Sequence, residues 1–204
     1  MKRTILFLVI LFLMTSCSDA QRGNFFMWQM ALIPVACDPL AIGCYYQGGQ
    51  IAYIYQSGDP GYVSGEVHGI IVSSADIENE SWYNGTFTTT GATATALGTG
   101  AVNTTTIVAN QGTGANGAYD CLNYANGGYS DWYMPSKDEL HKIYLAKVAI
   151  GGVWTNNYLY SSSSEYDDRN CWFEDFRYGN QWYSQGDVYD SKAYHMSIRA
   201  IRYF

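Results

Sequence analysis

The strongest local signal in this sequence is a helix start at residues 134–140, which read Met-Pro-Ser-Lys-Asp-Glu-Leu. Ser136 and Glu139 form a capping box: the serine oxygen and the glutamate side chain each bind a backbone N–H that the first helical turn leaves free. The residues expected to form the buried stripe of this helix recur at helical spacing: Leu140, Ile143, Tyr144 and Val148. Gly151 and Gly152 are expected to end it.

Two shorter helices are expected upstream, separated by a glycine turn. The first spans residues 103–110, where threonines that can cap a helix precede Ile107 and Val108. The second is indicated by apolar residues at positions i, i+3, i+4 and i+7: Ala118, Cys121, Leu122 and Ala125. Gly127 and Gly128 are expected to stop it.

Short runs of β-branched and aromatic residues between turn-forming residues predict strands at both ends of the chain. These runs are residues 50–55, 68–72, 171–173, 181–183 and 197–204. In the closing run, Ile198, Ala200 and Phe204 are expected to face the core, and Arg199 and Arg202 to form structural ion pairs. Strands at both ends with helices between them predict an α+β fold.

The N-terminus has the layout of a secretory signal. Lys2 and Arg3 precede an apolar run at residues 5–14, which is too short to span a membrane. Residues 13–17, Leu-Met-Thr-Ser-Cys, resemble the bacterial lipobox, in which the cysteine is lipidated; the alternative is an ordinary signal peptide with a chance cysteine. We therefore expect a signal peptide at 1–16, a lipidated Cys17 with a tether to residue 40, and one domain at 41–204.

Charge excludes one class of partner. The formal net charge is −7, and removal of residues 1–16 with Lys2 and Arg3 makes it −9. Such a surface repels phosphates, so we expect no nucleic-acid partner. Membrane association is expected through the lipid on Cys17 rather than through attraction to anionic lipid.

The remaining cysteines are Cys37, Cys44, Cys121 and Cys171. An exported protein permits disulfides, and these four allow three complete pairings, among which the sequence does not decide. Proximity favours Cys37 with Cys44. No cysteine or histidine has the spacing of a zinc site, so no metal or cofactor is expected.

Several motifs together resemble the Lcl C-terminal domain, a bacterial exported family named from a collagen-like adhesin. Tyr46-Gln47-Gly48-Gly49 and Trp82-Tyr83-Asn84-Gly85 are similar to its start. Gly128-Tyr129-Ser130-Asp131-Trp132-Tyr133-Met134-Pro135-Ser136 resembles its central motif, and Ile198-Arg199-Ala200-Ile201-Arg202 its ending. The resemblance covers about residues 41–204. It implies a C-type-lectin-like fold, with two or three short helices beside small antiparallel sheets and the N- and C-terminal strands paired.

The ending is also similar to the variable proteins of diversity-generating retroelements, in which a Tyr-Trp-Ser-Ser-Ser-Glu scaffold precedes a hypervariable stretch. Here Ser161 stands where that pattern has tryptophan, and Cys171 where a small residue such as alanine is more usual. The calcium-binding motifs of lectins are absent, so the resemblance does not imply calcium-dependent sugar binding.

We expect ligand binding in the segment from Asp167 to Tyr194, because tyrosine, tryptophan and arginine dominate binding hot spots. The candidate residues are Asp167, Asp168, Arg169, Asn170, Glu174, Asp175, Arg177, Tyr178, Asn180, Trp182, Tyr183, Asp187, Tyr189, Asp190 and Tyr194. The alternative is a solvated, tyrosine-rich surface without a ligand. Trp172 and Phe176 are assigned to the core. Glu165, with Asp167 and Asp168, forms either a cation site or, more simply, a solvated acidic loop.

The sequence therefore predicts a ligand-binding lipoprotein of the bacterial envelope, not an enzyme, with a protein or a cell-surface glycan as partner. His68, His141 and His195 are scattered and nominate no catalytic group. Two alternatives stay open. One is a structural envelope protein without a specific ligand, and the other is an enzyme related to formylglycine-generating enzymes, which share this fold class.

Overall fold

The computed structural model describes residues 37–151 and 158–204, apart from the side chains of Glu78 and Asn79. The predicted signal peptide, Cys17 and most of the tether lie outside the described residues, as does Gly152. The described elements are β1 (Tyr45–Tyr46), β2 (Gly49–Ile54), β3 (Gly69–Val72), β4 (Ile77–Glu80), α1 (Gly100–Gln111), α2 (Gly117–Asn123), α3 (Lys137–Ile150), β5 (Leu159–Glu165), β6 (Cys171–Asp175), β7 (Asn180–Trp182), β8 (Met196–Ile198) and β9 (Ile201–Tyr203). None of the described helices is both long and apolar enough to cross a membrane.

The described strands form two small sheets. One has the order β1-β2-β3-β9 and the other the order β4-β8-β5-β6-β7. Neighbouring strands run antiparallel except β5 and β8, which are parallel. With three helices between the strands, the predicted α+β class is confirmed. The C-terminal strand β9 is bonded to β3, which separates it from β1 and β2. The expected direct pairing of the N- and C-terminal strands is therefore wrong, although both lie in one sheet.

Helices cover both faces of the strands. Helix α3 contacts β2, β5 and β6, whereas α1 packs on β5 and α2 on β4. Ile70 and Val72 pack in the same apolar cluster as Leu140 of α3, and Ile71 packs in a second cluster with Ile107 of α1. Successive strand residues point to opposite faces. A strand covered on both sides is apolar throughout, which accounts for the sequence Gly-Ile-Ile-Val of β3.

The closing stretch is two strands in different sheets rather than the single alternating strand that we expected. β8 belongs to the five-stranded sheet and β9 to the four-stranded one, and the chain passes between them at Arg199 and Ala200. Ile198 and Ala200 are buried as predicted, but Ile201 is buried as well and Phe204 only partly. Ile201 exchanges two backbone hydrogen bonds with Tyr133, each 2.9 Å. The alternation of buried and exposed residues therefore does not continue from β8 into β9. Ile198 of β8 packs in one apolar cluster and Ile201 of β9 in the other.

The structural ion pairs predicted for the two arginines of this stretch are confirmed. Arg199 pairs with Asp76 and donates to the carbonyl oxygen of Ser73, 3.0 Å away. Arg202 binds both carboxylate oxygens of Asp131, at 2.7 and 2.9 Å.

Three helix details differ from expectation. Helix α1 begins at Gly100, before the threonines that were expected to cap it, and Thr99 at its N-cap forms no side-chain cap bond. Helix α2 ends at Asn123, because the backbone becomes extended at Tyr124, whose ring packs edge-on against Trp132. The stop therefore lies before the glycine pair, and Ala125 is exposed. In α3, Leu140 and Ile143 are buried as predicted, but Val148 is 86% exposed. The buried face of α3 continues instead through Ala146 and Ile150.

The four cysteines in the described part of the chain divide into one bonded pair and two thiols. Cys37 and Cys44 form the predicted disulfide. Cys37 and Leu40, which the sequence placed in the tether, both pack against the apolar cluster that contains Ile107. Cys121 and Cys171 are buried free thiols, and burial raises the pKa of each well above its ordinary value.

The capping box at the start of α3 is confirmed. The backbone N–H of Glu139 donates to the Ser136 hydroxyl oxygen at 3.4 Å, and the backbone N–H of Ser136 donates to the Glu139 carboxylate at 2.7 Å. The Ser136 hydroxyl also donates to the carbonyl oxygen of Ala96, 2.9 Å away.

Replacing Ser136 with alanine is expected to lower the free energy of unfolding by about 1 to 2 kcal/mol, because the cap and the bond to Ala96 are both lost. Denaturant unfolding of the two proteins measures the difference. Ser74→Ala is the matched control, since Ser74 is exposed and bonds only the Gln50 side chain. Equal midpoints for Ser136→Ala and Ser74→Ala would contradict the role given to the cap.

Candidate binding surface

Most of the fifteen candidate residues lie on the surface of the second sheet and its loops. Ten are exposed: Asp168, Arg169, Arg177, Tyr178, Asn180, Trp182, Tyr183, Asp187, Tyr189 and Tyr194. Asp167, Asn170 and Asp190 are half-buried. The segment therefore offers polar and aromatic side chains to solvent over most of its length.

Glu174 and Asp175 are buried and do not belong to this exposed surface, contrary to the expectation from sequence. An oxygen of Glu174 lies 2.8 Å from Nδ1 of His141 on α3. Asp175 accepts hydrogen bonds from the Arg177 guanidinium at 3.0 and 2.6 Å, which lowers the pKa of Asp175. Both carboxylates are used inside the domain, one to hold β6 against α3 and the other to shape the turn after β6.

Three aromatic rings outside the core form what we call the outer aromatic cluster: Tyr166, Trp172 and Tyr183. The rings of Tyr166 and Tyr183 stack with centroids 3.6 Å apart and planes 6° apart. Trp172 meets both edge-on, at 5.6 and 5.5 Å. Trp172 is half-buried, so it is a member of this surface cluster and not of the core, where the neighbouring Phe173 takes the expected place.

The start of α3 flanks the outer aromatic cluster. The ammonium group of Lys137 lies 4.8 Å from the centre of the Trp172 ring. The side-chain amide of Gln181 on β7 donates to the Lys137 carbonyl oxygen at 2.8 Å. The hairpin that carries Trp172 and Tyr183 is thereby fixed to the capped end of the helix. Tyr166 and Lys137 were not among the sequence candidates; Tyr166 was recognisable only as an aromatic residue adjoining the segment.

A second aromatic group lies at the other end of the β6–β7 hairpin. The Arg177 guanidinium, in the turn, is 5.4 Å from the ring centre of Tyr158 and 5.3 Å from that of Tyr178. Arg177 and Tyr178 are exposed, and the bond to Asp175 keeps the arginine in one orientation. These contacts hold a guanidinium beside two tyrosine rings at the surface.

Trp182 is not part of either group. It lies opposite Phe173 in the β6–β7 pairing, and residues opposite each other share a face of the sheet. Phe173 is buried, so Trp182 extends the core-facing side of the sheet at its edge strand, whereas Tyr183 points to the other side. Trp182 and Tyr183, both candidates from the sequence, therefore lie on different faces of the sheet.

Arg169 joins the candidate segment to the threonine-rich stretch that follows β4. Its guanidinium lies 4.7 Å from the centre of the Phe87 ring, and that ring stacks on Tyr83 at 4.8 Å. The same guanidinium pairs with Asp190 at 3.1 Å. The surface therefore includes Phe87, which sequence position alone would have placed elsewhere.

A buried ion pair fixes the base of these loops. Both side chains of the Lys192–Glu165 pair are inaccessible to solvent, with Nζ 2.6 Å from the carboxylate. Lys192 also donates to the carbonyl oxygens of Thr88 and Asp168, each 3.0 Å away. The Glu165 carboxylate accepts from the backbone N–H groups of Thr90 and Gly91. Glu165 is thus a structural residue, and no sequence signal marked Lys192 as its partner.

In the loop between β5 and β6, polar residues form hydrogen bonds with one another. Asp167 accepts hydrogen bonds from the backbone N–H groups of Arg169 and Asn170, at 2.9 and 2.7 Å.

The described residues contain no group of three or more histidine, cysteine, aspartate or glutamate side chains arranged to hold a metal ion. No family model matches the chain, and no curated protein matches it significantly.

Proposed function

We propose that this chain is a lipid-anchored ligand-binding protein of the bacterial envelope, whose domain has a C-type-lectin-like fold of the Lcl C-terminal type. The anchor would be the lipid on Cys17, at the outer membrane or cell surface. The α+β class, with helices packed around two small sheets, supports this proposal, and the absence of direct pairing between β1 and β9 departs from it. The proposal includes no catalytic activity and no cofactor.

The observation that carries the proposal is an exposed aromatic and polar segment on an internally bonded frame. The outer aromatic cluster is held by β6, β7 and the start of α3, and the loops around it by the Lys192–Glu165 pair. Rigid aromatics give large contact area at low entropic cost, which favours binding. The residues between the frame contacts are free to differ without loss of the fold, as a diversified surface requires.

We propose a protein or a cell-surface glycan as the partner. Tyrosine and tryptophan rings pack against the apolar parts of either ligand, and the exposed acids and arginines offer hydrogen bonds at the rim. The net charge of −7 opposes nucleic acid. The partner is to be found by screening the whole chain against glycan arrays and cell-surface protein extracts.

Replacing Tyr183 with alanine is expected to weaken binding of the partner by at least about 30-fold, the equivalent of about 2 kcal/mol for a hot-spot aromatic. The ring stacks on Tyr166 and closes the cluster, so its loss also frees Tyr166. The free energy of unfolding should fall by about 1 to 3 kcal/mol, since the ring contacts with Tyr166 and Trp172 are both lost. Titration calorimetry and denaturant unfolding measure the two quantities.

Tyr62→Ala is the matched control, because Tyr62 is 39% exposed and Tyr183 is 37% exposed, but Tyr62 lies in the loop between β2 and β3. It should leave the affinity unchanged. Equal losses in the two variants would indicate nonspecific adhesion of tyrosines. Full affinity in Tyr183→Ala would remove the outer aromatic cluster from the binding site.

A further inference from the structure

A pocket of about 420 Å³ lies outside the segment from Asp167 to Tyr194. It is bounded by the loop between β2 and β3, by the residues before α1 and by the end of the chain. The lining used in the argument is Tyr55, Val63, His68, Gly98, Tyr203 and Phe204. Its volume falls within the range of small-molecule sites. The rings of Tyr55 and Tyr203 have centroids 6.2 Å apart and planes inclined by 54°, so two aromatic walls meet at an angle.

A buried carboxylate lies one hydrogen bond behind this lining. Glu139 of α3 is inaccessible to solvent. One of its oxygens accepts from two lining residues, the Gly98 backbone N–H at 2.9 Å and the Tyr203 hydroxyl. The other accepts from the Ser136 N–H at 2.7 Å. Burial and the neighbouring Glu139 raise the pKa of Tyr203, so the hydroxyl keeps its proton and donates it.

The partners of Glu139 in the described parts of the chain are neutral donors. None of the ion pairs described there includes it. Its field also reaches Tyr55 and Tyr133, and burial followed by that field raises the pKa of both. Burial raises the pKa of Glu139, whereas the hydrogen bonds from Tyr203, Ser136 and Gly98 lower it. When Glu139 is ionised, its charge lies behind the aromatic walls without a paired cation in the described parts of the chain, and it gives the pocket a negative potential.

Among the described residues, the pocket lining adds no lysine or arginine. Its one basic group, His68, lies 2.8 Å from the carboxylate of Glu66, so a proton on the ring would be offset locally. His68 also bonds the carbonyl oxygen of Phe204 at 3.1 Å. The negative net charge of the whole chain further concentrates cations near the surface.

We propose that this pocket binds a small organic cation that carries an ammonium or quaternary ammonium group. Aromatic faces attract such cations through the ring quadrupole, and a carboxylate nearby adds a charge interaction. The negative potential would repel an anionic ligand, and a purely apolar ligand would gain no charge interaction with Glu139. The site is separate from the outer aromatic cluster, and the proposal does not depend on the function proposed for that cluster.

The test is titration of the whole chain with choline and with its neutral isostere 3,3-dimethylbutan-1-ol, followed by nuclear magnetic resonance or calorimetry. We expect saturable binding of choline, at least about tenfold tighter than that of the alcohol. Equal affinities would show an apolar pocket without charge selectivity and overturn the proposal. Absence of saturable choline binding below about 10 mM would also overturn it.

Two lysine substitutions in one loop locate the site. Val63 lines the pocket and is 44% exposed, whereas Val67 is 51% exposed and is not among the lining residues. Val63→Lys places a competing ammonium at the rim and should weaken choline binding at least about tenfold, whereas Val67→Lys should leave it unchanged. Unchanged binding in Val63→Lys, or equal loss in both variants, would contradict the assignment.

Glu139→Gln tests the charge itself, since glutamine keeps an oxygen that can accept from Gly98 and Tyr203. Choline should bind several-fold more weakly to this variant, whereas the affinity for the alcohol should not change. If Glu139→Gln fails to fold, the valine pair and the choline-to-alcohol ratio still decide the question. All these positions lie outside residues 167–194. A negative result for this pocket therefore does not count against the proposed binding surface, and a negative result for that surface does not count against this pocket.

Discussion

Replacing Lys192 with methionine is expected to lower the free energy of unfolding by about 3 to 5 kcal/mol, the usual cost of removing one partner from a buried ion pair. Methionine has a similar length but leaves the Glu165 carboxylate buried, with only neutral donors such as the N–H groups of Thr90 and Gly91. A domain is typically stable by about 5 to 15 kcal/mol, so this is a large fraction of the total. Denaturant unfolding followed by tryptophan fluorescence measures the loss.

The double variant Lys192→Met, Glu165→Gln separates the charge from the packing. Glutamine keeps an acceptor oxygen for Thr90 or Gly91 but carries no charge, so the double variant should be more stable than Lys192→Met alone. Lys142→Met is the matched control, since Lys142 forms no described ion pair and lies over the Tyr53 ring. It should change stability by less than about 1 kcal/mol. A double variant that is no more stable than Lys192→Met would argue against charge burial as the cause.

The position of this ion pair bears on the proposed function. Lys192 binds the backbone oxygens of Thr88 and Asp168, and these bonds do not depend on the side chains of those residues. The Ser191 hydroxyl likewise receives the N–H of Cys171 at 2.8 Å and donates to its carbonyl oxygen at 3.0 Å. Backbone contacts tolerate substitution of the residues that provide them. The loops can therefore change in sequence while their anchoring points stay the same, which is what the proposal of a diversified surface needs.

The features that could be predicted from sequence depend on neighbours along the chain. The capping box joins Ser136 to Glu139, and the disulfide joins Cys37 to Cys44. Both interactions are local, so residue type and spacing predicted the capping box and favoured the disulfide over the other pairings. The predicted helical stripe of α3 failed at Val148, which is exposed, whereas Tyr144 is partly buried and packs against Phe176.

The features that could not be predicted depend on contacts across long sequence separations. Trp172 and Phe173 are adjacent aromatics of one strand, and which of them is buried depends on the sheet face that meets the core. Since α3 covers only part of the opposite face, Trp172 stays at the surface beside Tyr166 and Tyr183. Lys192 and Glu165 are 27 positions apart, and no periodicity relates them.

The exposure of the candidate segment was predicted more reliably than the exposure of its individual residues. Polar and aromatic composition identified a stretch that is largely exposed, but composition does not distinguish a carboxylate used internally from one offered to a ligand. Glu174 and Asp175 show this, because His141 and Arg177 bond them inside the domain. The alternation of strand faces separates Trp182 from Tyr183, and that alternation becomes usable only once the register with Phe173 is known.

Deletion of residues 197–204 is expected to abolish cooperative folding. The deletion removes β9 and most of β8, and these strands belong to different sheets. β4 has β8 as its described neighbour, and β3 would lose the hydrogen bonds it makes to β9. Three fully buried apolar residues go with them, Ile198, Ala200 and Ile201. Two large buried side chains alone contribute about 2 to 5 kcal/mol each, which approaches the whole stability of a typical domain.

Two further variants distinguish loss of β9 alone from loss of a single ring. Circular dichroism and denaturant unfolding of the whole chain measure the result. Deletion of residues 201–204 removes β9 alone, together with the Ile201–Tyr133 bonds and the Arg202–Asp131 pair, and should also prevent a cooperative transition. Phe204→Ala keeps both strands and removes one partly buried ring that packs on Tyr46, so it should fold with a cost of about 1 to 3 kcal/mol. A soluble 197–204 deletion that unfolds cooperatively would show that the frame beneath the binding surface does not need the strand crossing at Arg199 and Ala200. The two sheets would then have to be joined by α3 and the apolar clusters alone.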